Sequence, residues 1–198
     1  DLGIETWTKA LGKYEIMELC QASGVPSMPV QSNEDRVEND PQLRDRKMYR
    51  DMEHPVLGTF PLQNAPFTMS ETPPYNHQTG PLVSQHNKYV FEGLLGISHE
   101  ELAAGFEDGT FWPKDFDRTP YPYIQEMIDD ASPVEWKGLK PGPNPAPAPV
   151  IPPGGGALDG LRVLELSDEK GQWAGKLMGD MGADVIKIEP PGGESART

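Results

Sequence analysis

Leu161-Arg162-Val163-Leu164-Glu165-Leu166 opens the stretch that decides the fold, and Gln172-Trp173-Ala174-Gly175-Lys176-Leu177-Met178-Gly179-Asp180-Met181 follows it after a short polar turn. The Leu- and Val-rich stretch at 161–166 predicts a strand. Residues 172–181 have helical spacing, with Trp173, Leu177 and Met181 on one face. Gly182 stands where that helix has to end, and residues 185–188 (Val185-Ile186-Lys187-Ile188) predict a second strand. Gly175 and Gly179 leave room for a sheet to approach the helix closely. A strand, a helix and a strand joined this tightly make the strands parallel. The segment therefore reads as the first βαβ unit of a doubly wound, Rossmann-like α/β module over residues 157–198.

Upstream of it, residues 113–156 read as a Pro/Gly-rich linker. Lys140-Pro141-Gly142-Pro143-Asn144-Pro145-Ala146-Pro147-Ala148-Pro149 cannot supply a regular hydrogen-bond ladder and suits an extended, semi-rigid spacer. Gly154-Gly155-Gly156 adds a flexible end. Trp112, Phe116, Tyr121, Tyr123 and Trp136 precede the spacer, more aromatics than a bare tether carries, so its first part is expected to dock. Alternating Pro and Ala suits a spacer better than a Pro-x-x-P ligand for an aromatic groove.

Residues 1–112 mix helices with short strands. Ile4, Trp7, Leu11, Tyr14 and Met17 predict one amphipathic helix over 4–22, stopped by Gly24 and Pro26, with Cys20 as a buried small hydrophobe. Asp40-Pro41 opens a short polar helix, and residues 48–52 and 59–62 flank a turn at 55–58 as a hairpin. Val90, Phe91, Leu94 and Leu95 give a further helical face closed by Gly96, and Ser98 with Glu101 forms a capping box for a helix ending near Gly105. The whole is an α+β segment.

The chain has 198 residues and a net charge of −14, which argues against a nucleic-acid partner, since a phosphate backbone calls for a basic face. No apolar run approaches the roughly 20 residues of a membrane-spanning helix. The single cysteine cannot pair within the chain, which fits a cytoplasmic protein. His54, His77, His86 and His99 lack compact ligand spacing, so no metal site is expected. A start at Asp1 and an end at Ala196-Arg197-Thr198, without a closing element, read as cuts in a longer polypeptide.

Two stretches resemble opposite ends of one family, the class III CoA-transferases (formyl-CoA transferase-like, CaiB/BaiF). Residues 158–166 (Leu158-Asp159-Gly160 and the first strand) are similar to the family's opening, as are 182–193 (Gly182-Ala183-Asp184-Val185-Ile186-Lys187-Ile188-Glu189-Pro190-Pro191-Gly192-Gly193) with Arg197. Residues 4–108 resemble its C-terminal part. The matching features are Gly24-Val25-Pro26, Asp40-Pro41-Gln42-Leu43, His54-Pro55, Ala65-Pro66-Phe67, Thr72-Pro73-Pro74, Gly80-Pro81-Leu82 and His86-Asn87. An end preceding a beginning implies tandem modules. Residues 1–112 would be the C-terminal part of the first, 113–156 the linker, and 157–198 the start of the second.

The resemblance implies an enzyme that moves CoA between an acyl-CoA and a carboxylic acid. An aspartyl-CoA thioester would carry the CoA, because covalent carboxylate catalysis splits one hard transfer into two easier ones. That aspartate would lie outside this chain, so no catalytic residue is assigned and the chain alone is expected to be inactive. Coenzyme A is the implied ligand, with Lys170, Gly171 and Arg197 as its candidate contacts. A helix N-terminus attracts phosphate through its unpaired N–H groups. An interlocked dimer, or an intramolecular pseudo-dimer, is the implied assembly. Acyl-CoA racemases or isomerases of the same scaffold and a non-catalytic CoA-binding module stand as the alternatives.

Overall fold

The structure, a computed structural model, describes residues 2–134 and 155–197. The linker core at 140–149, Trp136 and Gly154 lie outside the described residues. Among the described residues the chain forms two compact units, the first ending at Tyr49 and the second beginning at Arg50.

In the first unit the single helix expected over 4–22 is two, α1 (Leu2–Thr8) and α2 (Lys13–Ala22). Gly12, extended at φ −73° and ψ 150°, breaks the run, and Glu15 Oε2 accepts from its N–H at 3.4 Å. α2 ends as the sequence requires. Gly24 sits at φ 77°, its N–H bonds Gln21 O and the Val25 N–H bonds Cys20 O, the paired closure that only a left-handed residue permits. Cys20 is half-buried rather than buried. Asp40 caps α3 (Pro41–Asp45) by accepting from the Leu43 N–H at 2.9 Å, with Pro41 at the first helical position where its missing N–H costs nothing. Lys13 pairs with Asp35, which also accepts from the Ser32 N–H at 2.9 Å.

In the second unit β1 (Tyr49–His54) and β2 (Gly58–Gln63) pair as the expected hairpin. His54 Nδ1 accepts from the Val56 and Leu57 N–H groups, which closes the turn. Val90 to Leu94 form a π-helical turn (Tyr89–Leu94) stopped by Gly96 at φ 72°. α4 (His99–Asp108) starts on the Ser98–Glu101 capping box but passes Gly105 and stops at Gly109, φ 97°. Gly105 is kept inside the helix for packing, because a Cβ there would lie 2.3 Å from Phe111 Cε2.

Residues 113–134 are folded here. α5 (Pro122–Asp129) buries Ile124 completely against Leu102, Phe106 and Trp112, the core of the unit. Trp112 donates to Phe116 O at 3.0 Å and the Tyr123 hydroxyl donates to Val83 O at 2.7 Å. Trp112 is thus packed against α4 and Tyr123 tied to the chain at 83.

Residues 155–197 form β3 (Arg162–Glu165), α6 (Gln172–Asp180) and β4 (Asp184–Lys187). β3 and β4 are parallel, in register from Arg162 opposite Asp184 to Glu165 opposite Lys187. α6 closes with the same two bonds as α2, Gly182 N–H to Gly179 O and Ala183 N–H to Met178 O. Gly175 and Gly179 turn toward the sheet as expected, a Cβ on Gly179 lying 3.9 Å from Val185 Cγ2 of β4. Trp173 is 40% exposed, while Gly175 and Asp180 are the buried positions. The close approach at Gly175 is to a side chain, since a Cβ would overlap the Glu165 carboxylate at 1.9 Å. Mixed helices and two small sheets make the chain an α/β protein.

Candidate functional site

The turn after β3 brings the first two sequence-predicted residues together and closes on itself. The N–H groups of Lys170, Gly171 and Gln172 all bond Asp168, through Oδ1 at 3.0 Å and through its carbonyl at 3.0 and 3.2 Å. Gly171 is required by space, because a Cβ would sit 2.7 Å from Ser167 Cβ. Lys170 is exposed, and its ammonium carries no partner among the described residues.

The chain then returns past this turn. Ser195, in the 3₁₀ turn Ser195–Arg197, donates to Glu169 Oε2 at 2.9 Å, so the two stretches holding Lys170 and Arg197 touch. The Arg197 guanidinium forks onto Glu189, Nε to Oε1 at 2.6 Å and Nη2 to Oε2 at 2.7 Å, and Nη1 donates to Pro81 O at 2.7 Å. Burial pushes the Glu189 carboxyl up, but the Arg197 fork outweighs it and holds it below the usual range. Three of the five guanidinium donors are therefore committed, and the charge is already compensated.

A cleft of about 270 Å³ lies beside the fork, lined on one side by Val83, Asn87 and Phe91 and on the other by Lys187, Glu189 and Pro190. Lys187 faces this cleft. Its ammonium donates to Gln172 Oε1 at 3.1 Å and pairs with Glu194. Glu194 is 9% exposed, and its Oε2 has no partner among the described residues.

Sequence reasoning passed over a second polar group, on the inner face of α6. Lys176 donates to Gln63 O at 2.7 Å and to Asn76 Oδ1 at 2.8 Å, and pairs with Asp180 one turn on. Asp180 O accepts from the Tyr75 N–H at 2.8 Å. Burial pushes the Asp180 carboxyl up in spite of Lys176, and burial likewise pushes the nearby His77 imidazole down. The i, i+4 spacing of Lys176 and Asp180 between two glycines was the signal available. Among the described residues no group of three His, Cys, Asp or Glu side chains is placed to hold a metal ion, and no helix is long and apolar enough to cross a membrane.

The profile of the family described as CoA-transferase family III matches residues 2–87 and 158–198, more than half of the chain. The chain belongs to CoA-transferase family III. The two matched stretches are those that meet at the Lys176 and Arg197 contacts. Among curated proteins, the formyl-CoA:oxalate CoA-transferase of Streptomyces coelicolor is 33% identical over 50% of this chain and 24% of its own length. Its namesake from Streptomyces avermitilis is 34% identical over the same shares. That of Rhodopseudomonas palustris strain BisA53 is 29% identical over 56% of this chain and 25% of its own. The chain spans about a quarter of the length of these family members. No solved structure gives a significant match.

Proposed function

We propose that this chain is the junction of two modules in a tandem CoA-transferase. The enzyme would move CoA from an acyl-CoA to a carboxylic acid through an aspartyl-CoA thioester whose aspartate lies outside these residues. The observation that carries this reading is the family match in two stretches, 2–87 and 158–198, separated by the linker. The names of the relatives, formyl-CoA:oxalate CoA-transferases, support an acyl-CoA donor and a carboxylate acceptor.

Within that reading the turn at 168–171 and the Arg197 stretch form an edge of the second module's CoA site. Lys170 supplies an uncommitted ammonium for a phosphate, and Gly171 lets the turn close onto Ser167. Arg197 keeps two N–H donors beyond the three given to Glu189 and Pro81. Its larger role is to fix the stretch that faces the cleft. The N–H groups of 170–172 are spent on Asp168, so phosphate capture here relies on side-chain charge more than on the helix end.

The test is CoA transfer from formyl-CoA to oxalate, and to other short acids, by the polypeptide that contains this chain. Hydroxylamine trapping of an enzyme-bound thioester should accompany transfer. Thioester exchange by the 198-residue chain alone would overturn the placement of the nucleophile. Absence of both transfer and CoA binding from the complete polypeptide would overturn the enzyme reading.

A further inference from the structure

Residues 50–134 and 155–197 belong to one compact unit although the linker separates them in sequence. Their contacts are specific and lie at both ends of the βαβ segment. At the α6 end, Lys176 reaches Gln63 O and Asn76 Oδ1, and the Tyr75 N–H reaches Asp180 O. Asn76 is 2% exposed and Tyr75 8%, so these groups are enclosed by the contact. Beyond β4, Arg197 holds Pro81 O, and a Cβ on Gly193 would lie 3.0 Å from Val83 Cγ2. Gly192 packs near Pro113 at the start of the linker region, and the Tyr89 hydroxyl reaches Asp184 Oδ2 at 3.4 Å. Buried polar groups that satisfy one another across a seam fix a register, because any slip leaves several donors and acceptors unpaired.

We propose that the closing segment of the leading module is a structural part of the following module's opening domain, seated on its βαβ unit by the Lys176 and Arg197 locks. The surface is the inner face of α6 together with residues 189–197, and its partner is the segment at 63–91. This rests on the tandem reading above. The linker then ties two halves of one domain at the high local concentration a tether provides. The Pro81 carbonyl, from the leading module, positions Arg197 of the following one.

The experiment places a protease site at 143–148, first in the 198-residue chain and then in the tandem polypeptide. After cleavage the halves should co-elute under native conditions, with the Tyr75 amide still protected from hydrogen exchange. In Lys176→Met with Arg197→Met the cut halves should separate, and the Tyr75 amide should exchange at least tenfold faster. Arg197→Lys, which keeps the charge but loses the fork, covers the case in which the double variant fails to fold, and should weaken association alone. Halves of the 198-residue chain that part on cleavage would overturn the seam. Cut tandem halves that stay together equally well in the double variant, with Tyr75 still protected, would overturn the cross-module assignment. Neither readout involves CoA, so a seam that holds in a polypeptide that neither transfers nor binds CoA would refute the enzyme reading and leave the seam standing.

Discussion

Replacing Lys176 with Met tests the energetic weight of the seam. The substitution keeps most of the apolar stem and removes one ammonium that serves three acceptors, Gln63 O, Asn76 Oδ1 and Asp180. The two neutral acceptors lose about 1 kcal/mol each, and the charge-assisted bond to Asp180 about 1.5–3 kcal/mol. Asp180 limits the total, because a carboxyl already pushed up by burial takes a proton at modest cost once its cation is gone. A net loss of about 3 kcal/mol is expected. In urea, with a slope of about 2 kcal/mol per molar, the midpoint of the second unit should fall by about 1.5 M. Circular dichroism of the 198-residue chain follows it. The sign of the pH dependence is a second check. A buried carboxyl with a raised pKa costs stability as pH rises above its unfolded value of 3.8, and loss of Lys176 enlarges that cost. The gap between variant and parent should therefore narrow below about pH 4. A midpoint shift below about 0.3 M, or a gap that widens in acid, would refute the assignment of Lys176 as a seam residue.

His99 donates to both Glu92 Oε1 and Ile128 O, and the Glu92 bond holds its imidazole above the usual value. Its stabilisation should be complete below pH 6.5 and lost as pH rises through the folded value, so the gap between His99→Gln and the parent in thermal melts should shrink as pH rises. Asp35 is the opposite case. Hydrogen bonds from Lys13 and Ser32 hold its carboxyl far below 3.8, so Asp35→Asn should destabilise the first unit at pH 7 and progressively less as pH falls below 3.8. Gly105→Ala should cost about 1–2 kcal/mol in chemical denaturation, because Phe111 is wedged between Phe91 and Phe106 and cannot yield. Gly175→Ala should cost less than Gly105→Ala, since the Glu165 carboxylate it would meet can swing away. In the complete polypeptide, Lys170→Ala should weaken CoA binding about two- to fivefold by titration calorimetry, the range of one exposed ion pair.

Local rules carried the sequence reading furthest where chemistry at a single position decides the backbone. Gly24, Gly96 and Gly182 all take positive φ where helices were expected to stop, although α4 runs past Gly105 to Asp108. Asp40 and Ser98 cap the helices that their spacing announced. What the sequence could not reveal is partnership across distance. The bonds of Arg197 to Glu189 and to Pro81 O, the latter 116 residues away, could not be read from its place in the sequence. The polar partners of α6 were hidden for the same reason. Apolar spacing picked out Trp173, Leu177 and Met181, and it gave no sign that Gln63 and Asn76 would come to Lys176 beside them.

The polar contact made by α6 has a physical consequence for how the two halves recognise each other. Several apolar side chains of the βαβ segment are left bare, with Leu164 62% exposed and Leu166 76%. Parallel strands are ordinarily covered on both faces, so a two-stranded sheet with these side chains in water has burial still to gain. Apolar burial is non-directional and would accept many partners. The Lys176 and Arg197 locks accept one arrangement, because Lys176 must find two carbonyl-type oxygens and Arg197 a third, each at 2.7–2.8 Å. In a tandem polypeptide built from similar modules, the apolar faces alone would not distinguish one module's closing segment from the other's. Discrimination then falls to the polar seam, and Asn76→Leu should lose it by removing the acceptor without shrinking the side chain. The expected result is a drop in association of the cleaved halves with no gain from the added apolar surface. Tighter association in Asn76→Leu would mean that burial, not register, holds the seam.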